Sequence, residues 1–167
     1  MEIYLLRHAP AGTRNLQGDA DDIQRPLTPD GIRKMQRVAR AMRGLKLKFD
    51  LILSSPFKRA KATAEIVADE FKLRRGLKFT GQLEPQGDPE ILVERLASLY
   101  ARPKRVLLVG HEPYLSSLAG VLVAGSDATA IKLKKGGLCK LTIRRLRYGP
   151  CAELDWLLTP KLLAKLE

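Results

Sequence analysis

Histidine, cysteine and aromatic residues are all scarce in this 167-residue chain, which has two His, two Cys and aromatics at 5%. Two cysteines cannot build the disulfide framework on which small coreless domains depend. If the segments around Leu141 and Leu154 pair as a hairpin turning near Gly149-Pro150, Cys139 faces a position near Thr159, away from Cys151. Both are therefore expected as free, buried small hydrophobes. None of the HxxxH, HExxH or CxxC spacings that hold metals occurs. The few aromatics are not interleaved with the basic stretches, which argues against a stacking platform for nucleic acid. Long hydrophobic runs are missing too. The longest uncharged, largely apolar window, Pro113 to Ser126, falls short of the ~20 residues a spanning helix needs. Met1 to His8 carries no basic leader and too short an apolar run for a signal peptide, so a cytoplasmic protein without a membrane segment is expected.

What is plentiful is ordinary core material and positive charge. Hydrophobic residues at 45% and charged residues at 29% are the balance of a globular protein, and the length suits one domain over residues 1–167. Lys and Arg number 30 against 18 Asp and Glu, a net charge of +12. Two acid-free stretches concentrate the excess. One holds Arg33, Lys34, Arg37, Arg40, Arg43, Lys46 and Lys48; the other holds Lys132, Lys134, Lys135, Lys140, Arg144, Arg145 and Arg147. Such a field attracts anions, whether nucleic acid, acidic lipid or a phosphorylated substrate; the plainer alternative is two solvated faces.

Short apolar runs alternate with amphipathic segments. Ile3–Leu6, Asp50–Leu53 and Arg105–Val109 read as buried strands. Thr28-Pro29-Asp30 supplies a cap, a first-turn Pro and an acid, and Ile32, Met35, Ala39 and Met42 continue a helix that Gly44 closes. Ser55-Pro56 predicts a second helix start, running through Ala60, Thr63, Ile66 and Val67 toward Phe71. Asp88-Pro89 predicts a third, with Leu92, Leu96 and Leu99 on one face, and Leu115, Leu118, Ala119 and Leu122 mark a fourth. Lys140–Leu146 and Glu153–Leu158 are the last strand candidates, and Tyr4 and Trp156 are expected in the core. This alternation predicts a three-layer α/β/α sandwich with a mostly parallel central sheet.

In open α/β sheets, ligands bind beyond the carboxyl ends of the strands. His8 follows the first strand and His111 follows the strand ending at Val109, so both imidazoles fall at that edge, with Arg7 and Arg59 near it. Two guanidinium groups can clamp phosphoryl oxygens. A neutral imidazole is a competent nucleophile at phosphorus, and a second one can donate to the oxygens as charge shifts. The set points to phosphoryl transfer through a covalent intermediate. Metal-assisted hydrolysis is the rival, and it would need further Asp, Glu or Cys ligands.

Three blocks in order carry a resemblance: Leu6-Arg7-His8-Ala9, Ser54-Ser55-Pro56-Phe57-Lys58-Arg59-Ala60-Lys61-Ala62-Thr63, and Val109-Gly110-His111-Glu112-Pro113. Together they resemble the histidine phosphatase superfamily, with its phosphoglycerate mutase-like fold, and within it the small bacterial phosphohistidine phosphatases of the SixA type. Arg25-Pro26-Leu27-Thr28-Pro29-Asp30-Gly31 and Pro85-Gln86-Gly87-Asp88 look like the same branch. The resemblance implies His8 as phosphoryl acceptor, Arg7 and Arg59 as phosphate ligands, and His111 as a hydrogen-bonding partner from the other side. It also implies no metal or organic cofactor. The short chain leaves no room for the large insertions that cover the site in bigger relatives, so an open site and a phosphorylated protein substrate, such as a histidine-phosphotransfer domain, are expected.

The chain departs from the wider family at two points. Ala9 stands where many relatives have Gly, which keeps a small residue. The general acid of ester-cleaving relatives has only Glu84 and Asp88 as candidates, and Asp88 doubles as a helix cap. A weak acid hurts ester cleavage more than P–N cleavage, which favours phosphohistidine over a small phosphomonoester. Glu112 is expected at the start of the helix after His111, where an acid suits the dipole. A non-catalytic, basic polyanion-binding module is the alternative from another class; nucleic acid is the less favoured partner.

Overall fold

The computed structural model describes residues 1–13 and 19–166. Its elements run β1 (Glu2–Arg7), α1 (Asp19–Gln24), α2 (Pro29–Gly44), β2 (Leu51–Ser54), α3 (Lys58–Glu70), β3 (Leu77–Phe79), α4 (Pro89–Ala97), β4 (Arg105–Gly110), α5 (Tyr114–Ala124), β5 (Leu138–Ile143), β6 (Ala152–Leu158) and α6 (Pro160–Leu163). Six strands form one sheet in the order β3-β2-β4-β1-β5-β6. The first four of that order are parallel, and β5 and β6 add an antiparallel hairpin at the edge. None of the described helices is long and apolar enough to cross a membrane.

Alternation along the buried strands builds two cores. Tyr4, Leu6, Leu107 and Val109 face one side, where Met35, Val38 and Met42 of α2 and Ala60, Ala64 and Val67 of α3 meet them. Ile3, Leu5, Val106 and Leu108 face the other, against Leu92 and Leu96 of α4 and Leu115, Leu118 and Leu122 of α5. A central strand with both faces covered must be apolar at every position, as β4 is after Arg105. The result is the expected three-layer sandwich with a mixed sheet.

Local signals act largely as expected. Thr28 caps α2 by accepting from Gly31 N at 2.9 Å, and Asp88 caps α4 by accepting from Glu90 N and Ile91 N. A Cβ at Gly31 would fall 2.0 Å from Pro10 O, so only glycine lets α2 start against the loop that follows His8. Several details differ. Ile32 turns to solvent at 40% exposure, and α4 ends at Ala97, which leaves Leu99 outside it. The hairpin pairs Cys139 with Leu157, two residues from the expected partner, because Ile143 pairs with Ala152 and the turn therefore centres on Arg147 and Tyr148 and not on Gly149-Pro150. Both cysteines are free; Cys139 is buried and Cys151 half-buried. Tyr4 is in the core, its edge toward Phe49 and its hydroxyl donating to Glu2, and Trp156 packs half-buried beside it.

Candidate active site

Sheet order brings the site together. β4 lies between β1 and β2, with Leu6 and Ser54 both in register with Val109. The residues that leave these three strands at their carboxyl ends are therefore neighbours: His8 donates its backbone N–H to Gly110 O, and Ser55 donates its own to Val109 O. His111 follows one residue later, and its ring centroid lies 5.2 Å from that of His8. Helices α2 and α3 cover one face and α4 and α5 the other, so this edge is the switch point where α/β sheets open a crevice. Here the crevice is a pocket of about 680 Å³ containing Arg7, His8, Arg59 and His111. The four candidate residues thus converge on one cavity.

Hydrogen bonds assign the state of His8. Its Nδ1 lies 2.7 Å from Ala9 O, a carbonyl that only accepts, so Nδ1 carries the proton. That leaves Nε2 with a free lone pair, toward which Arg59 Nε donates at 3.3 Å. The ring is 4% exposed. Burial is the largest cause that holds its pKa down at about 3, and neighbouring His111, Arg59 and Arg7 push the same way. At neutral pH the ring is an uncharged base with Nε2 available. Ala9 N in turn donates to Thr63 Oγ1, which donates to Arg59 O, so one hydroxyl ties the histidine loop to the arginine helix.

His111 is also buried and neutral, its pKa lowered to about 3 first by desolvation and then by Arg59. Its Nε2 lies 2.9 Å from Ser55 Oγ, and Ser55 Oγ accepts from Phe57 N. The Ser55 hydroxyl thus links the Phe57 amide to His111 Nε2, and His111 Nδ1 has no partner among the described residues. Ser55, read from sequence as a helix cap, serves here instead, and α3 begins only at Lys58.

Arg59 is 3% exposed, and its charge is met by Asp22 at 2.8 Å. Asp22 also pairs with Arg25 at 2.9 Å. Arg7 donates from Nη1 to Leu133 O at 3.0 Å, and its Nε is buried without a partner among the described residues. Of the two acid candidates, Glu84 lines the pocket half-buried, whereas Asp88 is outside the lining and spends its carboxylate on the α4 cap. Glu112, expected as a helix-start acid, precedes α5 by two residues, where its Oε2 accepts from Ser116 Oγ in the first turn, and it lines the pocket as well. Burial raises its carboxyl above the usual range, and its Oε1 has no partner among the described residues. Among the described residues no three His, Cys, Asp or Glu gather to hold a metal.

Residues 3–79 match the histidine phosphatase superfamily (branch 1). The chain is 35% identical to an uncharacterized protein of Picosynechococcus sp., over 98% of this chain and 99% of the relative. It is 30% identical to phosphohistidine phosphatase SixA of Escherichia coli, over 75% of this chain and 76% of that protein. A solved structure of the protein histidine phosphatase SixA complexed with tungstate superimposes with a TM-score of 0.82 at 26% identity, covering 96% of this chain and 98% of the other. The sheet and helices are thus those of the phosphoglycerate mutase-like histidine phosphatases. By sequence and by fold the chain belongs to the histidine phosphatase superfamily, and it is a phosphatase.

Proposed function

We propose that the enzyme is a phosphohistidine phosphatase, cytoplasmic and acting as one domain, that removes phosphate from phosphohistidine on a protein such as a histidine-phosphotransfer domain. The observation that carries the reading is the buried, neutral His8 with its proton fixed on Nδ1 and Nε2 directed at Arg59. In the first step His8 Nε2 attacks phosphorus, a new P–N bond forms, and the substrate P–N bond breaks with its electron pair returning to the substrate imidazole. In the second step water attacks phosphorus, the pair returns to His8 Nε2, and phosphate leaves. Arg7 and Arg59 neutralise the phosphoryl oxygens, and His111 donates a hydrogen bond to them as their charge grows.

Phosphohistidine fits better than an ester because an imidazole leaves readily and accepts its proton from water, whereas an alkoxide needs a positioned acid. Asp88 is committed to its cap, which weakens the ester case. Glu112 favours the second reading, hydrolysis of small phosphomonoesters, since it lines the pocket and burial shifts its carboxyl toward the protonated form that an acid catalyst needs. The name of the Escherichia coli relative supports the first.

The test is phosphate release from a phosphohistidine-bearing protein and from an aryl phosphate, with excess chelator, for wild type and His8→Ala. Preference for phosphohistidine, indifference to chelator and loss with His8→Ala are expected. A strong aryl phosphate preference overturns the substrate, and an active His8→Ala overturns the site.

A further inference from the structure

The two basic stretches are not used by the chemistry above, yet folding brings parts of both to a second cavity. This groove of about 470 Å³ is floored by Ala9, Pro10, Met35, Val38, Pro160 and Ala164. Its rim carries Lys34, Arg37, Lys135, Lys161 and Lys165, and no acid lines it. Lys34 pairs with Asp30 at 2.7 Å. Lys135, Lys161 and Lys165 have no carboxylate within ion-pair distance among the described residues. An apolar floor beside three lysines with no carboxylate of their own is complementary to one kind of surface: apolar side chains flanked by carboxylates.

The groove adjoins the catalytic pocket. Pro10 follows His8 by two residues, at most ~7 Å of backbone. Lys135 lines both cavities. The turn that carries it is fastened to the nucleophile's own strand, because Gly136 N donates to Arg7 O at 3.0 Å and Arg7 N donates to Gly137 O at 3.2 Å. The wall between groove and pocket is thus a fixed part of the site.

We propose that this groove docks an acidic, amphipathic segment of the phosphoprotein substrate while its phosphohistidine occupies the catalytic pocket; this rests on the phosphohistidine reading above. The substrate's carboxylates meet Lys161, Lys165 and Lys135, and its apolar side chains cover Pro10, Pro160 and Ala164. The small site then gains selectivity among phosphoproteins from contacts remote from phosphorus, which a free phosphoamino acid does not make.

Three substrates test this: free phosphohistidine, a phosphohistidine peptide with an acidic and apolar flank, and the same peptide with a Ser/Gly flank. Wild type is compared with Lys161→Glu/Lys165→Glu and with the milder Lys161→Gln/Lys165→Gln. Both lysines are exposed and outside the catalytic pocket, so turnover of free phosphohistidine is expected unchanged. For the acidic peptide KM should rise about tenfold or more in the charge-reversed protein, and less in the neutral one, with kcat retained. At about 1 M salt, where the screening length is ~3 Å, the proteins should converge. Wild type that ignores the flank, or variants that keep its preference, overturns docking and leaves the phosphohistidine reading standing. Wild type that cleaves aryl phosphate but no phosphohistidine overturns both. Duplex RNA affinity that falls in these variants while the peptide preference survives assigns the lysines to nucleic acid and overturns docking.

Discussion

The two buried imidazoles make a quantitative demand on stability. Both fall from the ordinary 6.5 to about 3, so on acidification the unfolded chain takes up protons that the folded protein refuses. Wherever the unfolded state binds more protons, stability rises with pH. The contribution is therefore full above 6.5 and is lost as pH falls from 6.5 toward 3. Between about pH 7 and pH 5 this amounts to about 2 kcal/mol for each histidine, or about 4 kcal/mol for the pair. Glu112, with its raised pKa, acts in the opposite direction. The other shifted carboxyls, at Glu2, Asp30, Asp50 and Asp155, are all lowered and lose their protons below this window. The assay is urea unfolding of wild type and His8→Gln/His111→Gln across the window, in buffers free of phosphate because anion binding would stabilise the folded state. With a urea slope of ~2 kcal/mol per molar, the wild-type midpoint should drop by about 2 M relative to the double variant. Glu112 is common to both proteins and cancels in that comparison. Equal pH dependence in the two, or imidazole NMR signals titrating near 6.5, would refute the reasoning. The same burial keeps the nucleophile neutral, so the pH–rate profile should show no loss assignable to His8 protonation down to about pH 4.

Four further outcomes follow from the geometry. Arg59→Ala should lower kcat/KM by about 10²–10³, as loss of one transition-state donor does, and Arg59→Lys should recover little, since a point charge does not reproduce the fork that reaches both His8 and Asp22; steady-state kinetics on phosphohistidine reads both. Asp22→Asn removes the carboxylate that pairs with Arg59 and Arg25, so tungstate should bind about fivefold more tightly by calorimetry, and weaker binding would show that Asp22 chiefly positions the arginines. Asp88→Ala should cost about 1 kcal/mol of unfolding free energy through the lost α4 cap while kcat stays at the wild-type value; a fall in kcat without a fall in stability would return Asp88 to the chemistry. Glu112→Gln and Glu84→Gln, by contrast, should slow aryl phosphate more than phosphohistidine.

The parts of this molecule that were legible in its sequence are those whose signal is local. β1 and β4 announce themselves because a strand covered on both faces must be apolar throughout, and α2 and α4 because their caps are built from the side chains just before them. His8 and His111 could be placed at one edge for the same reason, as residues that immediately leave such strands. β3 carries no such mark: Leu77–Phe79 is three residues long, half-exposed and at the sheet edge, where neither period nor composition separates it from loop. Ser55 was misplaced by a subtler effect. A serine before Pro-Phe is genuine helix-start chemistry, and only the approach of a second chain segment decides whether the side chain turns to the helix or to the pocket. In this fold β2 lies beside β4, so Ser55 turns to His111. Glu112 keeps its helix-start contact with Ser116 and lines the pocket as well. The groove is the limiting case. Its lining comes from residues 9–10, 34–38, 135–136 and 160–165, and no sequence window contains two of those sets. Charge alone marked residues 33–48 and 132–147 as attractive to anions; that Lys34, Arg37 and Lys135 face one apolar floor, beside the nucleophile, is a consequence of the α2, α6 and β5 packing. A net charge of +12 thus becomes specific only after tertiary structure has sorted which cations share a surface and which of them have already met a carboxylate.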